Sequence, residues 1–307
     1  MMRILVVRAS RALGSGYVQG MADIAASFLA VFLDERLQLY HPQALTEAVA
    51  LTVATTNENE VANGDDPFSA STSTSHRATT PHALGRSRSA PAHVTTTTST
   101  SATVTQPCSF PTLMAYSAAP TLCLSRLDPA LVDALLSDED IATAEADAYG
   151  CLTQILNRVQ DFYVHGQPGI QRGMRALRMV LESQAHDLVG HLDEMGVDLL
   201  QFGFRWYNCL YVREIAFDLV PRLLDLFVAE SGHSANGLPV QLTLMGGGLL
   251  TTWQEELVGM DFAGLITFLQ NPPSLRWGRK ELDAVLARTF LLQHALRERG
   301  VHLDKVV

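Results

Sequence analysis

The stretch from residue 141 to residue 162, IATAEADAYGCLTQILNRVQDF, indicates the fold class of this protein. Its apolar residues recur at intervals of three and four, which places them along one face of an α-helix. They are Ile141, Ala144, Ala148, Leu152, Ile155, Val159 and Phe162. Because the alternation typical of β-strands is scarce in the chain, this pattern favours a helical protein.

Similar patterns lie on both sides of this stretch. Upstream, one stripe consists of Tyr17, Met21, Ile24, Phe28, Leu29 and Phe32. Downstream, Pro168 can occupy the first turn of a helix, and further helices fit residues 217–230, 238–257, 262–269 and 279–299. Residues 199–212 are apolar nearly all round, which predicts a central, fully buried helix. The sequence therefore predicts an all-α fold built from many helices.

Residues 55–125 differ from the rest of the chain in composition. Ser, Thr, Ala and Pro dominate residues 55–111, and residues 95–98 are an unbroken run of threonine. Such a segment has too little apolar surface to offset the entropy lost on ordering it. We therefore expect a long, largely disordered insert at 55–125, between folded parts at 1–54 and 126–300.

Composition excludes several classes of function for this chain of 307 residues. A formal net charge of −10 argues against nucleic-acid binding, which needs a positive field. No run of apolar residues approaches the roughly 18 needed to cross a bilayer. The first residues lack the apolar core of a secretory signal, so we expect a cytoplasmic protein. Its four cysteines lack CxxC spacing and are expected to be reduced.

Motifs of self-contained active sites are absent from the sequence. It contains no phosphate-binding GxxxxGK[ST] loop, no HExxH zinc helix and no GxSxG elbow. The one glycine run, residues 246–248, lies in a helical pattern and predicts a locally loosened or closely packed helix instead of a phosphate site. We therefore expect no cofactor, no metal ion and no enzyme activity of the chain's own.

Several short segments in a fixed order carry a family resemblance. They are GYVQGM at 16–21, EADAY at 145–149, VQDFY at 159–163, QPGI at 167–170, LQFGFRWYNCL at 200–210, REI at 213–215, FLQN at 268–271 and WG at 277–278. This set resembles the TBC domain of Rab GTPase-activating proteins, and within that family the Golgi-type Ypt/Rab-activating subgroup. The resemblance covers roughly residues 2–33 and 145–295, and is interrupted by the insert.

The resemblance implies a mechanism in trans on a Rab-type small GTPase in its GTP-bound form. Such a GTPase is slow because its attacking water is poorly placed and the charge on the transferred phosphoryl group is incompletely stabilised. Proteins of this family supply a glutamine that positions the attacking water. It comes from a Y-x-Q-G motif, which corresponds to Gln19 here, with Tyr17 and Gly20 on either side of it. Residues expected to contact the partner GTPase are Tyr17, Gly20, Gln160, Asp161 and Gln167. For the last three, which lie at a helix end and in the loop after it, a turn-forming role is an equal alternative.

The family's second group, an arginine from an I-x-x-D-x-x-R motif, has no counterpart in the sequence. In the family this arginine stabilises the charge that develops on the phosphoryl group. Arg3, Arg8 and Arg11 do not match the motif, so we assign this role to none of them. We therefore expect an N-terminally truncated TBC-like domain with impaired activity, and exposed apolar surface near Val6, Val7 and Phe28. Arg205, in an apolar helix, is expected to need a buried carboxylate partner.

The sequence is also consistent with two alternative functions. A chain without the arginine could be a non-catalytic Rab-binding scaffold in membrane traffic. A helical interaction module with no GTPase partner would require Gln19 to be buried and inaccessible. For either Rab-dependent function, the resemblance implies a cytoplasmic protein that the Rab could recruit to the periphery of Golgi or endosomal membranes.

Overall fold

The computed structural model describes residues 1–11, 16–43, 129–232, 234 and 236–307. Within these ranges every regular element is an α-helix or a 3-10 helix, so the predicted all-α class is confirmed. The insert predicted at 55–125 lies entirely outside the described residues, and its boundaries stay a prediction. Among the described helices, none is both long and apolar enough to span a membrane.

Twelve α-helices and four 3-10 helices make up the described part of the chain. The α-helices are α1 (Met2–Arg11), α2 (Met21–Tyr40), α3 (Pro129–Leu135), α4 (Asp138–Arg158), α5 (Pro168–Gln184), α6 (His186–Met195), α7 (Leu200–Asn208), α8 (Val220–Ser231), α9 (Gly237–Thr252), α10 (Gln254–Val258), α11 (Phe262–Gln270) and α12 (Arg279–Glu298). The 3-10 helices are Gln160–Phe162, Phe217–Leu219, Pro273–Arg276 and Leu303–Lys305.

Helix α4 forms from the stretch that indicated the fold class. It begins at a capping box, in which Ser137 accepts from the backbone N–H of Asp140 and the Asp140 carboxylate accepts from that of Ser137. Its apolar stripe is buried except for the partly buried Ile141, and the helix packs extensively against α2 and also against α1 and α8. The stripe therefore attaches the N-terminal helices to the rest of the domain.

Helix α9 is the central element of the C-terminal part, since it packs against α5, α8 and α12. Its glycine run leaves room for these neighbours: a Cβ built on Gly246 would lie 2.6 Å from the Tyr211 hydroxyl, and one on Gly247 would lie 2.7 Å from Val180. Side chains at these positions would separate the helices. Of the two alternatives predicted for the glycine run, the structure shows the closely packed helix.

The single buried helix predicted over residues 199–212 is wrong in two respects. Helix α7 ends at Asn208, because Leu210 and Tyr211 take left-handed backbone angles (φ 48° and 59°). The Tyr211 N–H then donates to the Trp206 carbonyl at 2.8 Å, the type of bond that closes helix C-termini. The helix is also amphipathic, since the side chain of Phe204, expected in the core, is 39% exposed.

Exposed apolar surface near the N-terminus differs in part from the expectation. Val6 and Val7 on α1 are exposed, with exposed fractions of 60% and 37%. Phe28 is only 5% exposed, and its burial contradicts the expectation. The reason is that Phe28 lies on the face of α2 that joins the main hydrophobic core.

Candidate functional site

The GYVQG segment, residues 16–20, forms a tight entry into α2. Its two end glycines have positive φ angles, 59° at Gly16 and 105° at Gly20, which favour glycine because it has no Cβ. The carbonyl of Val18 accepts from the Met21 N–H at 3.2 Å, and the carbonyl of Gly20 accepts from the Asp23 N–H at 3.1 Å. The segment therefore turns directly into the first helical hydrogen bonds of α2.

The side chains of this segment point in different directions. Val18 is partly buried and packs against the main core. Tyr17 is 53% exposed, and Gln19 is exposed as well. The primary amide of glutamine can both donate and accept hydrogen bonds. An exposed Gln19 is therefore accessible to a group outside the chain.

Asn208, which the sequence reasoning gave no role, holds this segment against the body of the domain. Asn208 is the last residue of α7 and is 6% exposed. Its side-chain amide donates a hydrogen bond to the backbone carbonyl of Gln19. Gly20 packs so closely on it that an added Cβ would lie 2.6 Å from the Asn208 amide nitrogen. A polar residue at the end of the largely apolar motif at 200–210, which also contains Gln201 and Arg205, was the available sequence signal.

Asn208 also contacts the segment that carries two of the predicted partner-binding residues. The hydroxyl of Tyr163 donates to the Asn208 backbone carbonyl at 3.0 Å. Burial raises the pKa of Tyr163, so this hydroxyl stays protonated and remains a donor. Asn208 thus links the backbone of Gln19 to the chain that follows α4.

Gln160 and Asp161 lie just before Tyr163 in the 3-10 helix Gln160–Phe162. Gln160 is exposed, whereas Asp161 forms an ion pair with Arg172 of α5. Together with Arg158 and Arg172, both residues line an open cavity of about 400 Å³. This cavity offers carboxylate, amide and guanidinium groups to a polar partner surface.

Gln167 has a different position from the other predicted partner-binding residues. It precedes Pro168 at the start of α5 and takes a left-handed backbone conformation, with φ 44° and ψ 53°. Gln171 closes the same loop by donating to the Gly166 carbonyl at 2.9 Å. Among the described residues, no hydrogen bond joins Gln167 to Gln19 or to Asn208.

The three arginines near the N-terminus all contact α4. The buried Arg8 donates to the Asn157 side chain at 3.1 Å, and Arg3 forms an ion pair with Glu145 at 2.5 Å. Arg11 donates to the Tyr149 hydroxyl at 3.4 Å and lies 5.7 Å from the centre of its ring. These contacts explain the three arginines as attachments of α1 to α4.

Arg205 forms the ion pair that the sequence predicted. It donates to both carboxylate oxygens of Glu214, at 2.6 and 2.7 Å, and to the Gln270 carbonyl at 2.8 Å. Glu214 is fully buried, and burial raises the pKa of its carboxyl group, while the hydrogen bonds from Arg205 oppose that rise. The pair fixes the turn that follows Asn208.

The described cysteines are free thiols, as the sequence predicted. Cys209 is buried, with its sulfur 3.9 Å from a carboxylate oxygen of Asp23. Burial and the charge of Asp23 raise the pKa of Cys209 to about 11, so the group is a neutral thiol near pH 7. In the part of the chain with assigned positions, no cluster of His, Cys, Asp and Glu is placed to hold a metal ion.

Comparison with protein families finds one matching family model. The model is the Rab-GTPase-TBC domain, and it matches residues 114–257. This range contains α4 to α9, including Asn208, Tyr163 and the Arg205–Glu214 pair. Gln19 lies upstream of this range, outside the match.

Curated relatives include GTPase-activating protein gyp1 of Schizosaccharomyces pombe, which is 37% identical over 179 residues, covering 58% of this chain. Others are GTPase-activating protein GYP1 of Saccharomyces cerevisiae (27% identity, 54% of this chain) and human TBC1 domain family member 22B (32% identity, 54% of this chain). The chain covers 34%, 35% and 32% of these three proteins, about a third of their length.

A solved structure agrees with these sequence relatives. The crystal structure of the Ypt/Rab-GAP domain of Gyp1p superposes with a TM-score of 0.62 at 26% identity, and the match covers 95% of this chain and 64% of that one. Its helical architecture, the matching family model and the gyp1 and TBC1 domain family member 22B relatives all agree with the ordered motifs. This chain is therefore similar to Rab-GTPase-TBC domain proteins, and among them to Gyp1 and TBC1 domain family member 22B.

Proposed function

We propose that this chain acts in trans on a GTP-bound Rab-type GTPase and that Gln19 orients the attacking water. The single observation that carries the proposal is the exposure of Gln19 on a segment whose backbone is fixed to the domain. A water-positioning group must reach the partner's active site and yet be held in one place. The exposed Gln19 disfavours a helical module without a GTPase partner, for which this side chain would be buried.

Tyr17, Gly20, Gln160 and Asp161 support the same docking surface. Tyr17 presents an exposed aromatic ring beside Gln19, and Gly20 allows the segment to approach Asn208 closely. Gln160 and Asp161 line the open cavity near Tyr163. We propose that the Rab contacts both the segment at 16–20 and this cavity, with Gln167 at its margin.

The activity proposed for residues 1–307 alone is weak. No I-x-x-D-x-x-R segment occurs among them, and Arg3, Arg8 and Arg11 are directed to α4. An arginine finger accelerates hydrolysis by about 10³- to 10⁵-fold. The second candidate function is accordingly a non-catalytic Rab-binding scaffold, and the same missing motif favours it.

Binding to a Rab would also set the location of the protein. The relatives named gyp1 and TBC1 domain family member 22B support a role in membrane traffic. We propose that the chain is cytoplasmic and is recruited to Golgi or endosomal membranes by the Rab itself. Its acidic net charge of −10 gives no attraction to an anionic lipid surface.

The test is single-turnover GTP hydrolysis by a panel of purified Rab proteins. Each Rab is measured with the chain, with its Gln19→Ala variant, and with a form joined to an upstream segment that carries I-x-x-D-x-x-R. Gln154→Ala is the matched control, because Gln154 is an exposed glutamine on α4 that belongs neither to the segment at 16–20 nor to the lining of the cavity. Binding of each form to the GTP-loaded Rab is measured in parallel.

We expect the arginine-bearing form to accelerate one Rab by roughly 10³-fold or more over the chain alone. Gln19→Ala should remove roughly 10²-fold or more of that gain, while Gln154→Ala should leave it unchanged. If no form accelerates any Rab but the chain binds one in its GTP state, the scaffold function replaces the activator. Failure of every form to bind or accelerate any Rab would refute both functions.

A further inference from the structure

We propose that Asn208 is the positioning residue that fixes Gln19 for its partner, and that Tyr163 holds Asn208 in place. The proposal rests on the function proposed above, in which Gln19 reaches into the active site of the GTPase. Asn208 does not itself contact the partner in this proposal. It acts through the backbone of the segment at 16–20.

The segment at 16–20 needs an external anchor. Glycines at both ends give its backbone access to many conformations, and Gly20, at the start of α2, provides no side-chain cap. Among the described residues, Asn208 makes the one side-chain hydrogen bond to the backbone of this segment. Without that bond, Gln19 would sample several orientations and lose its alignment with the water.

Asn208 is suited to this task because it is rigid. It is 94% buried, being 6% exposed, and it lies where α7 closes through the bond from Tyr211 to Trp206. Its backbone carbonyl accepts from Tyr163, and the Arg205–Glu214 pair fixes the turn that follows. The anchor therefore belongs to the part of the chain that matches the family model, while Gln19 lies outside it.

The chemistry at position 208 requires a donor. The amide nitrogen of Asn208 faces the Gln19 carbonyl, whereas its amide oxygen has no hydrogen-bond partner among the described residues. The side-chain donor of Asn208 thus serves Gln19 alone. The Asn208→Asp substitution keeps the shape but, with its carboxyl group ionised, sets an acceptor against the Gln19 carbonyl, so above the pKa of that group it should release the segment with little change in volume.

The first measurement is amide hydrogen exchange on the full chain. The N–H groups of Met21, Asp23 and Ile24 are bonded to carbonyls of the segment at 16–20, so their protection reports its anchoring. We expect Asn208→Asp and Asn208→Ser to speed their exchange by roughly fivefold to tenfold, the factor expected for one lost hydrogen bond. Tyr163→Phe should shift the same amides in the same direction but by less.

Tyr207→Phe is the matched control for this measurement. Tyr207 precedes Asn208 in α7 and is also buried, but its hydroxyl bonds to Gly173 and Thr243 instead. It should alter global stability without selectively exposing the amides at the start of α2. Unchanged exchange at these amides in both Asn208 variants would overturn the proposal, whether or not the chain activates a Rab.

The second measurement is a double-mutant cycle on Rab GTP hydrolysis, using the assay and forms of the preceding test. We expect Asn208→Asp to lower the single-turnover rate roughly tenfold or more at saturating chain, with little change in Rab affinity. In the Gln19→Ala background it should have no further effect, because Asn208 acts through Gln19. A residue with a merely structural role would lower the rate equally in both backgrounds.

The outcomes separate this inference from the proposed function. A strong effect of Gln19→Ala with no effect of Asn208→Asp would overturn the inference and leave the function intact. No effect of Gln19→Ala on any Rab would refute the proposed catalytic role. The exchange experiment would still decide whether Asn208 holds the segment.

Discussion

Replacing Arg205 by methionine tests the buried ion pair that fixes the turn after α7. Methionine keeps the unbranched apolar stem but leaves the fully buried Glu214 without its bidentate partner. Breaking a buried pair by removing one partner costs about 3–5 kcal/mol. Because the Arg205 side chain is 36% exposed and solvent screens it, we expect about 3 kcal/mol at pH 8.

The pH dependence of this loss of unfolding free energy follows from the direction in which the pKa of Glu214 is shifted. Burial already raises the pKa of Glu214 in the folded protein, so its contribution to stability is fully present below the unfolded pKa and is lost as pH rises through the folded pKa. Arg205→Met should raise the pKa of Glu214 in the folded protein further, which increases the loss of unfolding free energy at pH 8. Near pH 5 the Glu214 carboxyl of the variant takes up a proton on folding. The loss of unfolding free energy should then be only about 1 kcal/mol, due to the missing hydrogen bond to Gln270.

The assay is urea unfolding at pH 5 and pH 8, followed by the fluorescence of the three tryptophans. Arg205→Met combined with Glu214→Gln is the control, since a neutral amide at position 214 should abolish the extra pH dependence. If Arg205→Met costs the same at both pH values within about 0.5 kcal/mol, an ionised, buried Glu214 is not the cause of the loss.

Two glycine substitutions test close packing, each with a control at an open position, by urea unfolding midpoints. Gly20→Ala should cost about 3 kcal/mol, because its positive φ and a Cβ placed 2.6 Å from a buried amide nitrogen both oppose it; Gly16→Ala, with positive φ but open space, should cost about 1 kcal/mol. Gly246→Ala should destabilise by about 1 kcal/mol despite alanine's higher helix propensity, because its Cβ would lie 2.6 Å from the Tyr211 hydroxyl. Gly150→Ala, on an open helix face, should stabilise the protein by about 0.5–1 kcal/mol. Equal changes in the unfolding midpoint for Gly150→Ala and Gly246→Ala would contradict close packing at Gly246.

Much of the fold could be predicted because the sequence signals of a helix lie within the helix itself. The stripe at 141–162 and the proline at 168 correspond to α4 with its following 3-10 helix and to the first turn of α5. Their causes, apolar spacing and a residue without a backbone N–H, act within a few residues of chain. The helix expected at 238–257 is interrupted at Trp253, between α9 and α10, a break that local spacing did not predict.

The end of α7 could not be predicted in the same way. Leu210 and Tyr211 adopt left-handed angles that their side chains disfavour, and a sequence pattern carries no sign of that choice. The surrounding contacts impose it: the Tyr211 hydroxyl donates to the Leu242 carbonyl of α9, and Glu214 is held by Arg205. Long-range packing here overrides local preference.

The sequence by itself determined the helical class, the family resemblance and the candidacy of Gln19, because motif order and apolar spacing are properties of the chain alone. Only the tertiary structure decided that Gln19 is exposed and that its backbone is bonded to Asn208, which lies 189 positions away along the chain. It also brought Tyr163 to the same residue. Such contacts depend on how helices pack in space, and the hydrogen-bond partner of a backbone carbonyl leaves no periodic trace in the sequence.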